Sequence, residues 1–274
     1  MKTKNIIITK VNNSSFYSNV QDCIVNESPL QIILTYGTTT QKKTEPLSVT
    51  MRTPDDDFHL VTGFLFCEGI IKNASDILSL KHIDAEKNTL LVELSPDVIF
   101  NSDEKKRNFI ASSACGFCGK TINDVSAQNI STSINNEIKI SAFTLYKLPS
   151  LLRTSQSLFT ETGGAHAVAL VSTNGEIIQI NEDVGRHNAM DKLVGAMLNK
   201  NALPLSDYIL LFSGRLGYEL VQKAVAAGIS VICSIGAPTS LAVEVAQQNN
   251  ITIVGFLKNE SFNIYCCGQR IIQS

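Results

Sequence analysis

Residues 208–257 constrain the fold more than any other part of this chain. Three short apolar runs, 208–212, 229–235 and 251–257, are separated by two amphipathic segments, 216–227 and 239–248. Runs this short and this rich in Ile, Leu and Val suit strands buried on both faces. The segments between them repeat apolar residues at helical spacing. Gly228 can end the first, and Thr239 can cap the second. The order strand-helix-strand-helix-strand implies parallel pairing through right-handed crossovers. Functional loops are then expected at the C-terminal ends of these strands.

The flanking segments extend this pattern. Residues 167–172 and 177–181 predict a hairpin around Asn174-Gly175. Residues 187–198 predict a helix with Met190, Leu193, Val194 and Met197 on one face. Nearer the N-terminus, 6–9, 31–36, 47–51 and 89–94 read as strands. Residues 57–71 read as a helix, with acidic residues in its first turn and Phe58, Val61, Phe64, Leu65 and Ile70 at helical spacing. A polar stretch at 101–108, containing the run Glu104-Lys105-Lys106-Arg107, reads as a solvated linker. The expected fold class is therefore α/β, and α+β overall. Residues 1–110 form a smaller strand-rich N-terminal domain, and 111–274 form an α/β domain that begins with a cysteine loop.

Composition excludes several functions. Apolar residues make up 44% and the formal net charge is −2, which fits a packed core and argues against nucleic-acid binding through bulk charge. No run of about 18 apolar residues exists, so no membrane helix is expected. The run Ile6-Ile7-Ile8 is too short for the apolar region of a leader, which points to the cytoplasm.

Seven cysteines in a chain of 274 residues are expected to be thiols in that compartment. Cys67 and Cys233 sit in apolar runs and read as buried small hydrophobes. Cys115 and Cys118 are different. They lie in Ser112-Ser113-Ala114-Cys115-Gly116-Phe117-Cys118-Gly119, where small residues let the backbone bend and leave the sulfurs accessible. Three uses of this spacing stay open: structural zinc, a redox pair, and thiol chemistry on a loop, including persulfide carriage. Zinc would need a second ligand pair, and none stands at ligand spacing. The adjacent pair Cys266-Cys267 would point to opposite faces of a strand. No metal ligand is assigned.

Four polar turns complete the pattern. Thr162-Gly163-Gly164-Ala165-His166 precedes a strand, and its glycines let backbone amides approach an anion. Asn181-Glu182-Asp183-Val184-Gly185-Arg186-His187-Asn188 opens a helix, where Arg186 and the helix N-terminus favour a phosphate. Ser213-Gly214-Arg215 and Gly236-Ala237-Pro238-Thr239-Ser240 follow buried strands. Together these turns suit one anionic ligand, such as a nucleotide or pterin diphosphate. None has the spacing of a nucleoside triphosphate phosphate loop.

Taken in order, these motifs identify a family. The chain resembles the formate dehydrogenase accessory sulfurtransferases from Glu45 to Tyr265. The match includes Pro46-Leu47-Ser48-Val49, Thr53-Pro54, Gly63-Phe64-Leu65 and Glu68-Gly69-Ile70-Ile71. It continues through Cys115-Gly116-Phe117-Cys118-Gly119, the turns above, Asp191-Lys192-Leu193 and Gly255-Phe256-Leu257. The resemblance implies a larger domain of cytidine deaminase-like fold without zinc, and a homodimer. It implies that sulfane sulfur is taken from a cysteine desulfurase and passed to the bis(molybdopterin guanine dinucleotide) molybdenum cofactor for formate dehydrogenase. On this basis Cys115 carries the persulfide and Cys118 assists it. The cofactor, or a guanine nucleotide in its place, is expected at Gly163, Gly164, His166, Arg186, His187, Ser213, Arg215 and Gly236. The run Phe256, Leu257, Lys258, Asn259, Glu260 and Ser261 is expected to contact it too. Lys258 stands where the family pattern has Arg, and Gly217-Tyr218 where it has Ser and an aromatic residue. A module that binds and delivers the cofactor without carrying sulfur is the other reading of the same turns.

Overall fold

The structure is a computed structural model that describes residues 1–101 and 137–273. The boundary expected at residue 110 lies outside these residues. β1 (Thr3–Asn12) and β2 (Ser15–Val25) form an antiparallel ribbon. β3 (Ser28–Gly37) and β4 (Lys42–Arg52) follow, then helix α1 (Asp57–Cys67), β5 (Ile77–His82) and β6 (Thr89–Leu94). The last four strands form one sheet in the order β4-β3-β6-β5. Inward-facing Leu30, Ile32, Leu34, Leu90, Val92 and Leu94 alternate along β3 and β6 and pack against Leu60, Val61 and Leu65 of α1. Helix α1 stops at Cys67, earlier than the sequence pattern suggests. Gly69 takes a left-handed turn (φ 67°), and Phe58 is 44% exposed instead of lying on the core face.

The second part begins with β7 (Ile140–Ser141), α2 (Ala142–Ser155) and α3 (Ser157–Thr162). The hairpin β8 (His166–Val171) and β9 (Ile177–Asp183) turns at Gly175, whose φ of +91° suits glycine. Then come α4 (Arg186–Asn199), β10 (Ile209–Phe212), α5 (Tyr218–Ala226), β11 (Val231–Ser234), α6 (Ser240–Gln248), β12 (Thr252–Gly255), β13 (Asn263–Cys266) and β14 (Ile271–Ile272). The six-stranded sheet has the order β13-β12-β11-β10-β8-β9. β10, β11 and β12 are parallel, as their helical crossovers require, while β8, β9 and β13 run antiparallel to their neighbours. The α/β class is thus observed, with an added strand-rich N-terminal part.

Layering follows from burial. One face of the large sheet packs on α4, α5 and α6, and the other on α2 and the segment around Ile138 and Ile140. Helix α4 is buried on all sides from Asn188 to Leu198, because α1 covers the side turned away from the large sheet. The two helices cross where neither has a side chain. A Cβ on Gly63 would lie 1.9 Å from the Asp191 carbonyl oxygen, and one on Gly195 would lie 2.0 Å from the His59 carbonyl oxygen. Among the described residues, no helix is long and apolar enough to cross a membrane.

Candidate functional site

Strand direction gathers the predicted turns at one rim of the large sheet. β10, β11 and β12 end there, and antiparallel β8 begins there. His166 at the start of β8 pairs with Asp183 at the end of β9, and α4 starts three residues later at Arg186. Three loops form the floor. The Ser213 amide donates to the Ala167 carbonyl, and the Ala167 amide donates to Ser213 Oγ at 2.9 Å. The Gly236 amide donates to the Gly214 carbonyl, and the Phe256 amide to the Gly236 carbonyl. Buried Ser234 places its Oγ within 2.6 Å of the Gly214 carbonyl and 3.2 Å of the Gly236 carbonyl. Gly236 has to be small here, since a Cβ would lie 2.9 Å from both the Arg215 nitrogen and the Gly214 oxygen.

On this floor, Arg215 is exposed and Arg186 half-buried. Each brings a permanent cation to an edge where first-turn amides of α4 have no helical acceptor. The His166 ring lies against Gly214, where a Cβ would meet Nδ1 at 3.3 Å. Burial and the neighbouring Arg186 charge lower the His166 pKa, with Asp183 opposing them. His187 is lowered further, to about 3, by burial and then by Lys223, Arg186 and His166. Its Nδ1 lies 3.5 Å from a Glu219 carboxylate oxygen, and its buried Nε2 has no hydrogen-bond partner. Both histidines are therefore neutral near pH 7. They can offer hydrogen bonds to a ligand, while the positive charge comes from the arginines.

This gives a signed pH dependence. An unfolded His takes up its proton near about pH 6.5, whereas folded His187 does not until about pH 3. Between these values the unfolded state binds more protons, so stability falls as pH is lowered. For this one group the expected loss between about pH 7 and pH 5 is on the order of 2 kcal/mol. His166 on β8, Arg186 on α4, and Glu219 and Lys223 on α5 are the charged or titratable groups facing it. In His187→Gln the urea-unfolding free energy is expected to decline less over this range than in wild type. Equal slopes would show that His187 takes up its proton normally.

The remaining predicted positions separate by role. Gly163 is exposed in a left-handed turn with open space beside it. Gly164 lies against β2, where a Cβ would be 2.7 Å from Val25 Cγ1. Phe256, Lys258, Asn259, Glu260 and Ser261 are exposed in the loop after β12, which the Lys258 amide closes onto the Ser261 carbonyl. Leu257, between them, is 1% exposed and belongs to the core below. Cys115 and Cys118 lie outside the described residues.

Two acids of the helix-opening turn hold the chain itself. Glu182 accepts from the Leu158 and Phe159 amides and so caps α3. Asp183, fully buried, accepts from the Thr53 amide (3.1 Å), the Gly185 amide (2.9 Å), Asn188 Nδ2 (3.1 Å) and Lys192 Nζ (2.7 Å). Lys192 also donates to the Thr53 carbonyl, and the Val184 amide donates to Thr53 Oγ1. The helical spacing of Asn188 and Lys192 was the available signal that both could reach one acceptor at the start of α4. Asp191 is ion-paired with buried Lys223 deeper in the core.

A cavity of about 570 Å³ lies elsewhere, at the start of α1 between Arg52, Phe58, His82 and Lys87, and none of the predicted site residues lines it. Among the described residues, no group of three or more His, Cys, Asp or Glu could hold a metal ion.

Comparison with known proteins agrees over nearly the full chain. The sulfur carrier protein FdhD of Saccharolobus solfataricus is 39% identical over 271 residues, covering 99% of each chain. That of Streptomyces avermitilis is 41% identical over 259 residues, covering 91% of this chain and 89% of the relative. A crystal structure of a candidate formate dehydrogenase accessory protein from Desulfotalea psychrophila has the same fold, with a TM-score of 0.75, 21% identity and coverage of 99% of this chain and 100% of that one. A family model described as FdhD/NarQ matches residues 25–272, and the chain belongs to the FdhD/NarQ family.

Proposed function

We propose that this protein is a sulfur carrier for formate dehydrogenase maturation, with Cys115 as the carrying thiol. The relatives at 39–41% identity bear the name sulfur carrier protein, and that family kinship carries the reading. The state of four of the other cysteines supports the choice of thiol. Burial raises the pKa of Cys67, Cys233 and Cys266, the last to about 11, and a hydrogen bond to Glu161 raises that of Cys23. A thiol held protonated is a poor nucleophile.

In the proposed reaction the Cys115 thiolate attacks the outer sulfur of a persulfide on a cysteine desulfurase. The donor S–S bond breaks, the donor cysteine leaves as thiolate, and the sulfane sulfur with its proton becomes a persulfide on Cys115. Cys118 assists as a nearby thiol. The acceptor is the bis(molybdopterin guanine dinucleotide) molybdenum cofactor, bound as substrate. Arg186, Arg215 and the amides of the α4 N-terminus suit its phosphates. Neutral His166 and His187 and the loop after β12 suit its polar ring system, and a guanine nucleotide can occupy the same place. The protein is proposed to act in the cytoplasm as a homodimer.

Intact mass after incubation with an active cysteine desulfurase and cysteine tests this. Wild type and Cys118→Ala are expected to gain about 32 Da that a reductant removes, and Cys115→Ala to gain nothing. No gain in wild type would favour a module that binds the cofactor without carrying sulfur.

A further inference from the structure

Cys266 and Cys267 take no part in the proposed site, and the fold sets them apart from two ordinary strand neighbours. Cys266 ends β13 and is 7% exposed. Its Sγ donates to the Ile251 carbonyl at 3.3 Å. Cys267 leaves the strand in a left-handed turn (φ 50°, ψ 45°) and is half-buried. Adjacent side chains of a strand point to opposite faces, and this turn ends that alternation. The two thiols lie close enough to perturb each other. Arg270, fully buried, is electrostatically coupled to Cys267. It is held there through Thr252, whose Oγ1 accepts from Arg270 Nη1 at 3.2 Å and donates to the Cys267 carbonyl. A partly exposed thiol beside a permanent cation has the surroundings of a reactive cysteine. A neighbouring buried thiol is placed to resolve what forms on it.

We propose that Cys266-Cys267 is an oxidant-reactive vicinal dithiol, in which a hydroperoxide converts Cys267 to a sulfenic acid and Cys266 closes it to a disulfide. In the first step Cys267 Sγ attacks the terminal peroxide oxygen. The O–O bond breaks, and the departing oxygen takes up the thiol proton as water or an alcohol. In the second step Cys266 Sγ attacks the Cys267 sulfur. The sulfenic hydroxyl leaves with the Cys266 proton as water. Two thiols and one hydroperoxide thus give one disulfide, and two electrons pass to oxygen. The roles follow from position. Cys267 is the more exposed thiol. Burial pushes the Cys266 thiol up to about 11, which holds it back from attacking the peroxide itself. Closure takes Cys266 Sγ from the Ile251 carbonyl, within the β12–β13 pair that carries the rim loop 256–261.

The inference does not rest on sulfur carriage, so it is tested in the full chain carrying Cys115→Ala and Cys118→Ala. The folded protein is treated with hydrogen peroxide, its remaining thiols are alkylated in denaturant, and it is digested with trypsin. Cleavage after Lys258 and Arg270 releases residues 259–270, whose only cysteines are Cys266 and Cys267. This peptide is expected to carry no alkyl group and to be about 2 Da lighter than the dithiol, with both thiols regained on reduction. With Cys266→Ser added, Cys267 is expected to be trapped by dimedone as the sulfenic acid. With Cys267→Ser added, Cys266 is expected to stay a thiol. A peptide alkylated twice after peroxide overturns the proposal, and so does dimedone trapping at Cys266 instead. Kinetics with both cysteines in place cover the case in which a serine variant misfolds. Disulfide formation in the folded chain is expected to be at least about 10-fold faster than in the isolated peptide. Equal rates overturn the proposal, because adjacency in sequence would then suffice without the fold.

Discussion

Gly63→Ala and Gly195→Ala are each expected to destabilise the protein by at least about 3 kcal/mol, which lowers the thermal midpoint by roughly 6–12 °C. The obstacle in each case is a backbone carbonyl of the opposite helix, at 1.9 Å and 2.0 Å from the new Cβ. A flexible side chain could rotate away, but a carbonyl held within a helix, as those of Asp191 in α4 and His59 in α1 are, moves only with the helix. Separating α1 from α4 opens the layer between the two sheets, where Cys67, Leu198 and their neighbours are packed. Gly217→Ala is the matched control, because a Cβ there meets nothing within 4 Å and the backbone is extended. Its unfolding free energy is expected to stay within about 1 kcal/mol of wild type. Equal shifts at all three positions would show that loss of glycine flexibility, not the helix crossing, is responsible.

Lys192→Met is expected to cost about 3–5 kcal/mol, because it leaves the Asp183 carboxylate buried without its counter-charge. Asp183→Ala is expected to cost at least as much. It strands a buried ammonium together with the Thr53 and Gly185 amides and the Asn188 side chain. Urea unfolding of the two single variants checks both. A loss below about 1 kcal/mol for Lys192→Met would mean that water reaches the pair in solution. The same substitutions are expected to loosen the start of α4, since Asp183 holds the Gly185 amide one residue before Arg186.

The sequence was most informative where periodicity and chain order act together. The three parallel strands, their two crossover helices and the hairpin at Gly175 follow from apolar run length, capping residues and the handedness of crossovers. The convergence of the turns at 163–166, 182–187, 213–215 and 236–240 follows from the same topology. The ribbon was only partly legible. β2 reads Ser-Phe-Tyr-Ser-Asn-Val-Gln-Asp-Cys-Ile-Val, with no buried face to impose alternation, and its exposure explains why. Strand β13 escaped for a similar reason, as an edge strand with Asn263 and Ile264 exposed. Within the site, the turn from Asn181 to Asn188 was read as an anion site through Arg186 and the helix N-terminus, and its two acids, Glu182 and Asp183, bind backbone amides of this chain. Local sequence could not separate these uses, because Thr53, Asp183's distant partner, comes from the other part of the molecule.

The floor of the rim is made from main-chain groups: Gly236 to Gly214, Phe256 to Gly236, Leu257 to Ser234 and Lys258 to Ser261. Such bonds do not depend on the identity of the side chains above them. Inheritance can therefore alter the chemistry of this surface one position at a time while its shape persists. Lys258, exposed above the closure of its own amide onto the Ser261 carbonyl, is a position of that kind. Gly236 has no such freedom, because a Cβ there would lie 2.9 Å from the Arg215 nitrogen and the Gly214 oxygen.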